Sequence, residues 1–246
     1  MKKIAVIPAR YASERFPGKL MQLLDGQSVI VTTYLNTVAT NLFDEVLAVT
    51  DNEIIFNEIK RVGGNVMMSK RKHESGSDRI AEAVADMDCD VILNVQGDEP
   101  FVNKKMFSDL LHAFDDANVQ VASLMHILYE QADVENSGNA KVVVDKNNDA
   151  LYFSRAVIPF IRDMGTSATF YNHIGIYAYR KNALLQFTQW PQTTLEKIER
   201  LEQLRYLEHG VKIRMIITDQ ISIGIDTPED LERAREYLSE QQKAQL

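Results

Sequence analysis

The chain has 246 residues, of which 45% are apolar and 25% charged. That supplies a sizeable core and excludes a disordered or fibrous chain. A net charge of −8 excludes the broad positive field on which general nucleic-acid or anionic-membrane binding depends, so an anionic substrate would need local cations or a metal to capture it.

Near-continuous Val, Ile and Leu predict strands at 3–9, 45–50, 91–96 and 119–127, of the kind buried on both faces. Helices are expected over 52–61, 78–87 and 104–115, with Ser77 and Asn103 as N-caps. Segment 28–41, opened by Ser28, is β-branched and a poorer helix former. This alternation predicts a mostly parallel sheet covered on both faces. From residue 140 the pattern changes. "AKVVVDKNNDALYFSR" (140–155) reads as a hairpin turning at "DKNND", and "GTSAT" (165–169) as a small-residue loop. A strand follows at 173–180, then one long amphipathic helix over 193–210 that stops at Gly210, then the strand "VKIRMII". The last helix opens in "DTPEDLERAREYL", with Thr227 as N-cap, Pro228 in the first turn and Asp230 completing a capping-box-like pattern. The tail "SEQQKAQL" is expected to fray.

The single cysteine, Cys89, excludes an intrachain disulfide and fits a reducing, cytoplasmic compartment. The N-terminal apolar run is cut short by Pro8 and Arg10, and no run reaches membrane-spanning length, so a soluble, untargeted protein is expected. No repeat or linker divides the chain. The expectation is a single α/β domain over residues 1–246, with about 128–210 forming a lobe.

"IPARYASERFPGK" (7–19) places Arg10, Arg15 and Lys19 directly after the first strand. In open α/β sheets ligands bind at the carboxyl ends of the strands. No G-x-G-x-x-G follows this strand and no G-x-x-x-x-G-K-[ST] occurs, so a phosphate grip here would use side chains, not backbone amides. A solvated basic turn satisfies the composition equally well. "NVQGDEP" (94–100) sets Asp98 and Glu99 at the end of another strand, and "GIDTPEDL" (224–231) sets Asp226 before a helix. Each aspartate alone suits a plain turn or helix start. Together they suit a hard cation such as Mg2+, which takes one or two carboxylates plus phosphate oxygens.

"IPARYASERFPGK", "HESGSDRIAEA", "NVQGDEP" and "DTPEDLER" resemble the signatures of the 3-deoxy-D-manno-octulosonate (Kdo) cytidylyltransferases, from residue 4 to about 238. The resemblance implies a three-layer, mostly parallel Rossmann-like sheet of the nucleotide-diphospho-sugar transferase type, with a smaller sugar-binding and dimerisation lobe. It implies transfer of CMP from CTP to the anomeric hydroxyl of Kdo, releasing pyrophosphate, in bacterial lipopolysaccharide biosynthesis. Arg10, Arg15 and Lys19 would hold the triphosphate, and Asp98 and Asp226 would hold Mg2+. Ser75, Gly76, Arg79 and Gln96 would lie against the nucleoside. Arg155, His173, Tyr177, Glu199, Glu202 and Gln203 would form the sugar site, and the protein would be a homodimer with no nucleic-acid or membrane partner. Arg15, Lys19 and Asp98 carry the catalytic expectation. Two departures are small. Leu20 stands where the family pattern has proline after the lysine, and Ser77 where threonine is usual.

Overall fold

The computed structural model describes residues 1–12, 15–73, 75–163, 165–220 and 224–244. The chain forms two compact units, Met1–Lys104 with Ile221–Leu246, and Lys105–Gln220. The expected lobe at about 128–210 falls within the second.

The first unit begins with β1 (Lys3–Ala9), the short antiparallel pair β2 (Leu23–Leu24) and β3 (Gln27–Ser28), and α1 (Val29–Ala39). Then come β4 (Glu45–Thr50), α2 (Glu53–Arg61), β5 (Val66–Met68), α3 (Gly76–Val84) and β6 (Val91–Asn94). These strands lie in the order β6–β1–β4–β5, all parallel. Ile4, Val6, Val49, Ile92 and Leu93 are fully buried, which is why the strands read as unbroken apolar runs instead of alternating. Parallel pairing brings the carboxyl ends of β1, β4 and β6 to one edge, and the residues that follow them, Arg10, Asp51 and Val95–Asp98, emerge together there.

The second unit opens with α4 (Lys104–His112) and continues through β7 (Val121–Leu128), α5 (Gln131–Glu135), β8 (Lys141–Val144) and β9 (Ala150–Ser154). It ends with β10 (Phe170–Arg180), α6 (Lys181–Phe187), α7 (Thr194–Glu199), α8 (Leu204–Glu208) and β11 (Ile213–Ile217). The β8–β9 hairpin forms where it was expected. β10 runs antiparallel to β7 and β8, and β11 runs parallel to β7. Helix α9 (Pro228–Ala244) belongs to the first unit. The fold class is therefore α/β with a mostly parallel central sheet.

Three local expectations need correction. The helix expected over 193–210 is two short helices. Arg200 takes a left-handed conformation at φ 53° and caps α7, and the Leu201 N–H closes back to the Glu196 carbonyl at 3.2 Å. The break turns Glu199 toward β9 and lets Glu196 form a buried pair with Arg205, at 2.5 and 2.8 Å. Ile198 is 73% exposed. The cap of α3 is Ser75, whose Oγ accepts the Asp78 N–H, and not Ser77, which is buried in the first turn. Strand β6 stops at Asn94, because Gln96 and Gly97 already belong to a turn closed by the Glu99 N–H onto the Gln96 carbonyl. The tail is helical through Ala244, while residues 245 and 246 lie outside the described part.

Candidate active site

The segment that follows β1 is pinned where Tyr11 meets Gly18. The Gly18 N–H returns to the Tyr11 carbonyl at 3.3 Å, and Gly18 itself sits at φ 69°, a conformation that favours glycine. The following turn, Lys19–Met21, buries Leu20 and so fixes the root of Lys19. The loop borders a cleft of about 900 Å³ whose walls include Arg10, Arg15, Lys19, Gln96, Asp98 and Asp226.

The carboxylates reach this cleft by separate routes. Gly97 passes so close to its neighbours that a Cβ would meet the Ile30 side chain and the Pro8 carbonyl, each at 3.2 Å. Its carbonyl accepts from Thr33 Oγ1 at 3.0 Å, and the Pro100 carbonyl accepts from Asn36 at 2.7 Å, so α1 holds the turn that carries Asp98. Asp226 comes from the far end of the chain. The Ile225 N–H donates to the Asp98 carbonyl at 2.9 Å and joins the two segments. The Thr227 hydroxyl and Asp230 carboxylate then exchange bonds with each other's backbone N–H groups, as the capping pattern requires.

Lys19 Nζ lies between the two aspartates, donating to Asp98 Oδ2 and, at 2.8 Å, to Asp226 Oδ1. Arg15 reaches the other oxygen of Asp226 at 2.9 Å. Burial alone would lower the Lys19 ammonium, but the charges and hydrogen bonds of Asp98 and Asp226 prevail and hold it above its ordinary value. An ammonium is a compact cation. Two carboxylates already converging on one are a donor set of hard oxygens that suits Mg2+. Among the described residues no group of three or more His, Cys, Asp or Glu could hold a metal, so the remaining ligands would have to be phosphate or water oxygens.

Gly76, Arg79 and Gln96 also line the cleft, whereas the Ser75 hydroxyl is engaged at the α3 cap. The Arg79 guanidinium is almost wholly buried. It binds Asp51 at 2.8 Å and Ser69 Oγ at 3.2 Å, and its buried Nε has no hydrogen-bond partner among the described residues. Burial would raise the Asp51 carboxyl, yet Arg79, with Arg10 beyond it, keeps it below the usual carboxylate range. The sequence reading missed Asp51. Its signal was its place immediately after "EVLAVT", at a parallel strand end.

In the second unit, Glu199 accepts from Ser154 Oγ at 2.7 Å, from the Arg155 N–H at 3.0 Å and from Tyr152 Oη at 3.5 Å. Burial would raise its carboxyl, but these donors hold it low. The Arg155 guanidinium binds the carbonyls of Glu199, Ser137 and Gly138 at 3.0–3.2 Å. His173 is edge-on to Phe153 and tilted against Tyr177. Its Nδ1 lies 3.4 Å from the Gln203 amide and its Nε2 lies 3.1 Å from Ser123 Oγ. Burial pushes the imidazole pKa down to about 3, so the ring is neutral. The hydroxyls of Tyr177 and Tyr206 are buried with no hydrogen-bond partner among the described residues, and the negative charge of Glu202 acts on both phenols. All six residues expected at a sugar site therefore sit in this one unit, together with orphan hydroxyls and a neutral imidazole.

Residues 4–213 match the family model described as cytidylyltransferase. A 3-deoxy-manno-octulosonate cytidylyltransferase of Flavobacterium johnsoniae is 54% identical over 241 residues, 97% of this chain and 99% of that relative. One from Christiangramia forsetii is 52% identical over 96% of each chain. The solved structure of a CMP:2-keto-3-deoxy-manno-octonic acid synthetase complexed with CTP superposes with a TM-score of 0.93 at 36% identity, covering 98% of this chain and 100% of that one. The chain belongs to the 3-deoxy-manno-octulosonate cytidylyltransferase family.

Proposed function

We propose that this protein transfers CMP from CTP to the anomeric hydroxyl of Kdo and releases pyrophosphate. Relatives that carry this activity in their names, and a closely similar structure complexed with CTP, support the overall reaction. The observation that carries the site assignment is the Lys19 ammonium shared by Asp98 and Asp226, with Arg15 beside it.

Arg10, Arg15 and Lys19 bind the triphosphate. Arginine does so in a bidentate manner and lysine as a point charge. Lys19 and Arg15 are already placed against carboxylates, so both are oriented before the nucleotide arrives. They stabilise the charge that accumulates on the departing pyrophosphate, while Gln96 and Gly76 flank the nucleoside. Asp98 and Asp226 would hold Mg2+, which when bound neutralises phosphate charge and eases deprotonation of a coordinated hydroxyl. Arg155 supplies positive charge for the sugar-acid carboxylate, and His173, Tyr177, Glu199, Glu202 and Gln203 meet the hydroxyls. The chemistry asks the protein chiefly to align the anomeric oxygen with the α-phosphorus and to hold charge in place.

No helix among the described residues is long and apolar enough to cross a membrane. We read the protein as cytoplasmic, where CTP is available. A homodimer through the second unit is supported by its bare apolar side chains, notably Phe160 and Tyr129. Pyrophosphate release tests the reaction directly. It should require CTP, Kdo and Mg2+ together. Equal release with sialic acid in place of Kdo would overturn the sugar assignment.

A further inference from the structure

Ser123 lies in the middle of β7, fully buried among Val121, Ala122, Leu124 and Met125 of that strand. Opposite it, the β10 register shifts between Ile174 and Tyr177. This irregularity brings two backbone carbonyls onto one hydroxyl. Ser123 Oγ is 3.0 Å from the Ile174 carbonyl and 2.9 Å from that of Ile176. His173 Nε2 approaches the same oxygen at 3.1 Å. The Tyr177 hydroxyl lies beside Ser123.

A serine hydroxyl has one proton to give and can accept elsewhere. Carbonyls only accept, so with the proton facing Ile174 and Ile176, Oγ is left to accept from the ring. His173 is neutral and carries one ring proton, which this places on Nε2. Nδ1 is then a bare acceptor, and the group 3.4 Å from it is the amide of Gln203. Only the NH2 end of that amide can donate to it. The reverse polarity would withdraw the Ser123 proton from both carbonyls and turn the amide around.

We propose that Ser123 is a positioning residue for the sugar site, setting the His173 tautomer and through it directing the Gln203 carboxamide so that its oxygen is offered to a substrate hydroxyl. This rests on the sugar-site reading above. Ser123 need not touch the substrate itself. It converts the β10 irregularity into a fixed hydrogen-bond direction running Gln203 to His173 to Ser123 to backbone.

The test is nitrogen-15 NMR of the histidine rings in the full chain, with the His173 signals assigned by their loss in His173→Gln. The wild type should show His173 protonated at Nε2 and bare at Nδ1, unchanged from pH 6 to 8. In Ser123→Ala that signature should collapse to mixed tautomers or invert. The KM for Kdo should rise about tenfold while the KM for CTP, an internal check on folding, stays within twofold. An Nδ1-protonated ring in the wild type overturns the proposal. So does a Ser123→Ala variant with an unchanged tautomer, or one with a changed tautomer and an unchanged KM for Kdo. Gln203→Ala separates this failure from a failure of the sugar site. A raised KM for Kdo there, with none in Ser123→Ala, condemns the positioning role alone, and no change in either variant condemns the sugar-site reading with it.

Discussion

Lys19 holds together two carboxylates that would otherwise repel each other. Its charge is at once the counter-ion of Asp98 and Asp226 and the group expected to meet the triphosphate, so its loss should be felt in nucleotide handling first. Lys19→Ala should lower kcat/KM for CTP by about 10²- to 10³-fold, the scale of removing one charge-stabilising donor, and leave the KM for Kdo within a factor of about three. Steady-state kinetics with each substrate varied in turn measures this. An unaltered CTP profile would remove Lys19 from the site. Glu199 offers a pH test. Its folded carboxyl lies below the ordinary value, so it stabilises the fold at neutral pH, and that contribution is lost as pH falls through the lowered folded value. Thermal melts of the wild type should fall on acidification through and below pH 4.5, the ordinary glutamate value. Glu199→Gln should melt lower at neutral pH by an amount equivalent to about 1–3 kcal/mol, the cost of weakening a buried acceptor, with a flatter acid limb. Parallel acid limbs for the two proteins would show that this carboxylate does not govern the loss.

Among the elements, the turn after β6 and the break between α7 and α8 matter most. The Gly97 turn lies tight against α1 and β1, so a methyl group there would push the Ile30 side chain and the Pro8 carbonyl back by a few tenths of an ångström. Gly97→Ala should destabilise the chain by about 1–3 kcal/mol, the typical cost of overpacking, and reduce kcat by displacing Asp98. Chemical denaturation alongside turnover checks both, and a variant with wild-type stability and turnover would show that the turn has slack. Arg200 holds the break in a left-handed conformation that costs a non-glycine residue about 1–2 kcal/mol. Arg200→Gly relieves that strain but adds unfolded-state entropy, so the net gain in stability should be up to about 1 kcal/mol. A large loss would mean that the arginine side chain is needed at the break. This break was the least legible element in the sequence. "TTLEKIERLEQLRYLEHG" has a helical period and no glycine or proline before Gly210. What interrupts it is tertiary: the donors of β9 that draw Glu199, and the buried pairing of Glu196 with Arg205. The parallel strands, by contrast, were legible because burial on both faces writes itself as unbroken Val, Ile and Leu. The α9 start was legible because its capping pattern is local.

For the molecule as a whole, a net charge of −8 means that long-range electrostatics oppose the approach of CTP, and the grip must be local. The three cations after β1 are the groups proposed to provide it. The loop and "NVQGDEP" could be read as motifs because each is contiguous. The meeting of Asp98 with Asp226 could not be read from composition or period, since it depends on a backbone bond from Ile225 across the chain. Ser123 was illegible for a different reason, because a serine in an apolar strand reveals nothing of the two carbonyls opposite until the β10 register is known. The central claim is that one cleft edge gathers these charges to hold a metal-loaded triphosphate. The most direct measurement is pyrophosphate release from CTP and Kdo in saturating Mg2+, comparing the wild type with Asp98→Ala and Asp226→Ala. Both variants should remain folded and lose at least about 10³-fold in turnover, the scale of losing one preorganised charge contact or more. Either variant turning over at close to the wild-type rate would contradict the account.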